Sequence, residues 1–270
     1  MKLIVITGAS DGIGAEMARQ LARRYGSDVA LVLAARNEAR LNQVARECTA
    51  LGAHATVVQT DVSQEDQCRS LITKASALHG RIDALINNAG MSAQALFEDV
   101  KADDLVWYEQ LMRINLWGSV WCTHAALPWL KQSHGSIVAV SSLAGLIGVP
   151  GRTAYSATKF AMTGFFEALR AELKTAGVSV TTAYPGVVAT NIRHHGFNAA
   201  GEAAGSSGLK EDDAMSIEEC ARLILMGMEK REREVVMTAK GKLGRWLKLL
   251  APAQVEAMAL AALKDDVKPK

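Results

Sequence analysis

The 270-residue sequence predicts an α/β fold, a single domain built on a doubly wound parallel sheet flanked by helices. Three observations carry this. Short β-branched apolar runs recur along the chain, near-continuously apolar as strands buried on both faces are. Segments of helical periodicity separate them. The first run ends in a glycine-rich turn, TGASDGIG at 7–14, that opens a helix. Strands alternating with helices imply right-handed crossovers and hence a parallel sheet covered on both sides.

Taken in order, LIVIT (3–7) is the first strand and 13–25 the first helix. A strand at 29–34 is followed by a charged helix to about residue 51. The third strand, 56–59, ends at Asp61, and a helix runs on to His79. The fourth, 84–86, runs into Asn87-Asn88-Ala89-Gly90. One long helix over 103–131 leads to strand 137–140; helix 154–175, strand 178–183, helix 217–229 and a last strand at 234–237 complete the pattern. Periodicity fails at 194–213, rich in Gly, Ala and Ser. A long aperiodic insert in a compact domain reads as a lid, a binding loop or disorder, so a substrate loop is expected over about 191–215 of a domain spanning 1–237.

Residues 238–270 form a C-terminal helical extension. In KGKLGRWLKLLAP (240–252), Leu243, Trp246, Leu247 and Leu250 follow i, i+3, i+4, i+7 among Lys242, Arg245 and Lys248. Such an amphipathic stripe suits peripheral contact with an anionic membrane, cover for a substrate mouth, or a partner subunit.

Composition narrows the function. At 49% hydrophobic and 21% charged, the chain supports a sizeable core, and a net charge of +2 argues against a nucleic-acid partner. The basic excess is local: 230–270 holds ten Lys/Arg against five Asp/Glu. Cys48, Cys68, Cys122 and Cys220 show no metal-ligand spacing and read as reduced, buried thiols. His194-His195 lacks a carboxylate or third histidine, so no metal is expected. No apolar run approaches the ~20 residues of a membrane span, and a cytoplasmic protein is expected.

The chemistry gathers at strand ends. Gly8, Gly12 and Gly14 permit a tight turn and let backbone N–H groups meet a pyrophosphate at a helix N-terminus. An acid at the end of the second strand would suit the ribose hydroxyl of NAD; the chain has Ala35-Arg36-Asn37 instead, which favours the 2′-phosphate of NADP over a merely solvated arginine. In YSATKF (155–160), Tyr155 and Lys159 lie one helical turn apart. A free tyrosine titrates near ~10, and a fixed cation and a helix N-terminus both favour its phenolate. Ser142, just past the fifth strand, is placed to donate to a carbonyl oxygen as charge develops there.

Together TGASDGIG, Asp61-Val62, NNAG, the asparagine of INLWGS, the serine thirteen before the tyrosine, YSATK and YPG (184–186) resemble the classical short-chain dehydrogenase/reductase family, to about residue 237. SSLAGLIGVPGRTAYSATKFAMTGFFEALRAEL is similar to its hydroxysteroid dehydrogenase and dehydrogenase/reductase member 7-like branch. The resemblance implies a Rossmann-type fold and an NADP(H)-dependent oxidoreductase interconverting a carbonyl and a secondary alcohol, on an apolar lipid-, steroid- or aromatic-ketone-like substrate. It implies Tyr155 as general acid/base, Ser142 as carbonyl polariser, Lys159 on the nicotinamide ribose and Asn115 holding a relay water. Gly8, Ser10, Gly12, Ile13, Gly14, Arg36 and Asn37 would hold the phosphates and ribose. Asp61 and Val62 would meet the adenine, Asn88, Ala89 and Gly90 would line the cleft, and Pro185, Gly186, Val188 and Thr190 would flank the nicotinamide. Asp11 departs from NADP-preferring members, which often carry a lysine or arginine there. Leu143, Leu146 and Val149 are expected at the substrate.

Members usually dimerise through the helices of Asn115 and Tyr155, so a homo-oligomer, dimer or tetramer, is expected, with Trp117 and Trp121 as outward anchors. Non-catalytic NADPH sensors and scaffolds share the fold but commonly lose the Tyr/Lys pair, which is intact here. A peripheral membrane-associated reductase held by the basic extension is the other alternative.

Overall fold

A computed structural model describes residues 1–209 and 214–263. Seven parallel strands form one sheet: β1 (Lys2–Thr7), β2 (Val29–Ala35), β3 (His54–Gln59), β4 (Ala84–Asn87), β5 (Ser136–Val140), β6 (Ser179–Tyr184) and β7 (Glu234–Val236). Their order is β3-β2-β1-β4-β5-β6-β7, every neighbouring pair parallel. The order reverses between β1 and β4, the switch point where parallel sheets of this kind bind ligands at their carboxyl ends.

Alternation along β1 divides the core. Ile4 and Ile6 face helices α1 (Gly12–Tyr25), α2 (Glu38–Ala50) and α7 (Ile217–Glu229), with Met17, Leu21, Leu41 and Ile224 packed on them. Leu3 and Val5 face the opposite layer, in which Leu71, Cys122 and Phe166 come from α3 (Glu65–His79), α5 (Gly118–Ser133) and α6 (Thr153–Glu172). With side chains pointing alternately to each face, a strand apolar throughout must be covered on both sides.

The long helix expected over 103–131 is broken. It runs as α4 (Val106–Met112), a π-helical turn (Arg113–Trp117) and α5. The cause is tertiary: Asn115 sits in the π-turn and its amide is bonded outside the helix. The 191–209 stretch is docked, not loose. Phe197 pairs with Ala93 and packs on Trp107, whose indole N–H donates to the Ala199 carbonyl at 3.2 Å. The expected loop at 210–213 lies outside the described residues.

The extension forms α8 (Ala239–Leu250) and α9 (Pro252–Ala261). Gly241 and Gly244 form the buried face of α8, close against Leu143 and Ile147, while Leu243, Trp246 and Leu250 of the predicted stripe are exposed. Glycines allow the closer approach of the backbone to the domain, so the apolar stripe points away from it.

Candidate active site

The carboxyl ends of β1, β2, β4, β5 and β6 open onto one cavity of about 580 Å³. At one end the β1–α1 turn is built from constrained glycines. Gly8 has φ +66, and a Cβ on Gly14 would lie 2.2 Å from the Gly8 carbonyl oxygen, so neither tolerates a side chain. Asn88 braces this turn, its Nδ2 donating to the carbonyls of Thr7 and Gly8 at 3.1 and 3.2 Å. The Thr7 hydroxyl in turn accepts from the backbone N–H groups of Asn88 and Ala89.

Gly8, Ser10, Gly12 and Ile13 line this end with Arg36, Asn37, Asp61 and Val62; Asn88, Ala89 and Gly90 line the middle, and Pro185, Gly186, Val188 and Thr190 the far wall. Gly14 lies behind the turn and off the wall. Arg36 is exposed and has no ion-pair partner among the described residues, while Asn37 caps α2 by accepting from Arg40 N at 3.0 Å. Asp11 caps α1, accepting from Gly12 N at 2.7 Å, and pairs with Arg40 at 3.0 Å. The basic residue that sequence reading overlooked is therefore Arg40, four positions after Arg36. It reads as an ordinary helix-surface arginine until α2 is placed beside the glycine turn.

At the other end stand Tyr155, Lys159 and Ser142. Tyr155 is buried in the first turn of α6. Lys159 Nζ lies 5.7 Å from the centre of its ring and donates to the Val140 carbonyl at 3.0 Å, so the end of β5 holds the ammonium. Burial pushes the Lys159 pKa down; the Tyr155 hydroxyl opposes that shift and Arg152 adds to it. Ser142 caps the short turn after β5 by accepting from Ala144 N at 3.2 Å, which leaves its hydroxyl proton for another acceptor. The Leu143 N–H bonded to the Pro185 carbonyl at 2.9 Å joins this turn to the loop after β6.

Asn115 is fully buried and is not on the cavity wall. Its Oδ1 accepts from Met91 N at 2.8 Å, and its Nδ2 donates to the Met91 carbonyl at 3.0 Å and to Thr158 Oγ1 at 2.9 Å. Thr158 donates onward to the Tyr155 carbonyl at 2.8 Å. The side chain thus clamps the segment after β4 to the helix of the tyrosine. Leu143 and Val149 line the cavity as expected; Leu146 does not, because its turn packs towards α8, where its carbonyl accepts from Lys248. Arg152, Arg193, Leu209, Ala259 and Ala262 also line the wall, residues whose spacing in the chain carried no signal of their meeting.

Residues 2–200 match the family model described as short chain dehydrogenase. The chain belongs to the short-chain dehydrogenase family. As a member of it, the protein is an oxidoreductase acting on hydroxyl or carbonyl groups. It is 35% identical over 261 residues to 11-beta-hydroxysteroid dehydrogenase A of Sesamum indicum, covering 94% of this chain and 73% of that one. It is 32% identical over 272 residues to the Dehydrogenase/reductase SDR family protein 7-like of Dictyostelium discoideum, covering 99% and 83%. A short chain dehydrogenase/reductase of Burkholderia phymatum, solved with NAD, superposes with a TM-score of 0.80 at 24% identity over 94% of each chain. An alcohol dehydrogenase of Thermococcus sibiricus, solved with 5-hydroxy-NADP, gives 0.72 at 25% identity, covering 87% of this dehydrogenase and 94% of that one. No described helix of the protein is long and apolar enough to cross a membrane.

Proposed function

We propose that this dehydrogenase is NADP(H)-dependent and interconverts a ketone and a secondary alcohol on a substrate with an apolar body. The observation that carries this is the position of Tyr155, Lys159 and Ser142 at one end of a cavity whose other end carries Arg36 and Arg40. The residues fit the cofactor: a glycine-rich turn leads into a helix N-terminus, suited to a pyrophosphate. A guanidinium past β2 with no ion-pair partner among the described residues, Arg36, suits a 2′-phosphate. When bound, the reduced nicotinamide supplies the hydride that the carbonyl carbon accepts.

The chain's own residues do the rest. Ser142 Oγ donates to the carbonyl oxygen, stabilising charge as it develops. Tyr155 delivers the proton to that oxygen and takes it back in the oxidative direction. Lys159, fixed by the Val140 carbonyl, places positive charge beside the tyrosine and serves the nicotinamide ribose. Asn115 holds the Tyr155 helix in register with the Met91 segment. Leu143, Val149, Leu209 and Ala259 supply the apolar wall. Trp117 and Trp121, stacked 5.8 Å apart with Trp117 exposed, suit a homo-oligomer contact on the α5 side. Four free, buried cysteines fit a reducing compartment such as the cytoplasm.

The test is a panel of ketones with NADPH and of secondary alcohols with NADP⁺, followed by absorbance of the reduced nicotinamide. Turnover with NADPH that exceeds turnover with NADH supports the reading. Turnover with neither cofactor on any member of the panel would leave the non-catalytic sensor in its place.

A further inference from the structure

Basic side chains line the Tyr155 end of the cavity among the described residues. The acids on the cavity wall, Asp11 and Asp61, lie at the glycine-turn end, and no described Asp or Glu lines the part around Tyr155. Lys159 and Arg152 do, both beside the Tyr155 ring, and Arg193 lies near enough to act on Arg152. Arg193 is held by bonds that include Nε to Ser207 Oγ at 3.1 Å and Nη2 to the Val188 carbonyl at 3.0 Å.

Arg152 is the residue without an explanation in the proposed reaction. It is only 8% exposed, its Nε donates to the Ala93 carbonyl at 3.3 Å, and its Nη2 donates to Ser92 Oγ. Its guanidinium carbon lies 4.4 Å from the centre of the Tyr155 ring. The hydrogen-bond partners are neutral, and no carboxylate pairs with it among the described residues. A guanidinium carries five N–H donors in a rigid fork, so most of its capacity remains after these bonds. Buried charges are ordinarily matched by an opposite charge, because desolvation is otherwise uncompensated. Burial accordingly pushes the Arg152 pKa down, a shift that Tyr155 opposes and Arg193 deepens.

We propose that Arg152 anchors a carboxylate of the substrate, so that the protein acts on keto acids and hydroxy acids with an apolar body in preference to neutral ketones and alcohols. This rests on the reading of Tyr155 as the proton donor. The planar fork of a guanidinium matches a carboxylate in a way that a lysine does not. Because Arg152 stacks on the Tyr155 ring, the carboxylate sits close to the reacting carbonyl, and the apolar remainder lies along Leu143, Val149 and Leu209. A neutral ketone would leave the arginine buried and unmatched, which gives discrimination against it.

The probe is 4-oxo-4-phenylbutanoate, an aromatic ketone whose carboxylate is too distant to alter the carbonyl's own reactivity, compared with its primary amide. Binding of each to the protein saturated with NADP⁺ is measured by titration calorimetry, and reduction of each by NADPH absorbance, in the wild type, Arg152→Gln and Arg152→Lys. The acid should bind the wild type about 10- to 100-fold more tightly than the amide, the reach of one charge-assisted hydrogen-bonded contact. The ratio should collapse towards one in Arg152→Gln and be partly kept in Arg152→Lys. Thermal unfolding and NADPH affinity of the variants separate a lost anchor from a lost fold, and the wild-type ratio decides even where a variant does not fold. Equal binding of acid and amide by the wild type, or a ratio that survives Arg152→Gln, overturns the proposal. Reduction of both probes without discrimination removes the carboxylate anchor and leaves the reductase reading intact. Preferential binding of the acid without turnover does the reverse.

Discussion

Asp11 and Arg40 meet at 3.0 Å on the wall of the cavity that Arg36 also lines. The acid that seemed to weigh against a phosphate is thereby neutralised, at the cost of occupying the second arginine. Both side chains are about half exposed, so the pair itself is worth about 0–1 kcal/mol. Arg36, with no ion-pair partner among the described residues, should carry most of the proposed preference. A charge-assisted bond of about 1.5–3 kcal/mol should give roughly 10- to 100-fold tighter NADPH than NADH binding. Arg36→Asp should invert that order, because the carboxylate repels the phosphate and accepts from a ribose hydroxyl. Asp11→Asn keeps a good helix cap and frees Arg40, so NADPH should bind about two- to fivefold more tightly. Dissociation constants for both cofactors at fixed low salt check this; equal affinities in the wild type would refute it.

Tyr155→Phe removes one hydroxyl from a buried ring that keeps its packing against Arg152. Turnover should fall by roughly 10²–10⁴-fold, the usual contribution of a positioned proton donor, with NADPH affinity little changed. Single-turnover rates with a good ketone measure it. Wild-type kcat in the variant would mean that the proton comes from elsewhere.

The buried Asn115 side chain makes three hydrogen bonds that hold the π-turn, and Asn115→Ala strands the Met91 N–H and carbonyl. Each buried group left unmatched costs about 1–3 kcal/mol. We expect a lower Tm by several degrees, accompanied by loss of kcat as the Tyr155 helix loosens from the Met91 segment. An unchanged melting temperature would show that water replaces the amide without penalty.

The features legible in the sequence were those that repeat or sit at a strand end. Apolar runs placed all seven strands to within a residue or two. The glycine spacing placed the β1–α1 turn, and the one-turn separation of Tyr155 and Lys159 survived intact because α6 is regular there. What was not legible depends on contacts distant in the chain. The π-turn exists because Asn115 bonds to Met91 and Thr158, and helical periodicity carries no trace of that. The hydrophobic pattern of α8 marked its apolar stripe but carried no sign of the face that packs on the domain. That face is made by Gly241 and Gly244, whose backbone comes close to Leu143 and Ile147. Arg152 went unremarked because burial of a charge is a property of the fold.

The thiols should be inert in the folded protein. Burial pushes Cys48 up to about 11 and Cys220 up to about 12, so both stay protonated, hence poor nucleophiles, across the range from pH 6 to 9. A hydrogen bond with Cys68, and burial after it, raise Cys122 as well. An aromatic disulfide reagent at pH 8 should find almost no reactive thiol in the native protein and four after unfolding in denaturant. Rapid modification of the native protein would contradict the packing of α2, α3, α5 and α7.

The C-terminal extension contributes to the cavity wall. Of its two helices, α9 reaches the cavity, through Ala259 and by Ala262 just beyond its end, while the exposed leucines of α8 point away. Alanines there leave room, and a larger side chain would take it from the substrate without touching the glycine turn or Arg36. Ala259→Trp should therefore raise KM for bulky aromatic ketones more than for small aliphatic ones, and leave the NADPH dissociation constant unchanged. The size dependence separates this from general destabilisation, which would lower the rate for every substrate alike. Ala259→Ser, which adds little volume, should behave as wild type. A uniform loss with both large and small ketones in Ala259→Trp would mean that α9 supports the fold without bordering the substrate.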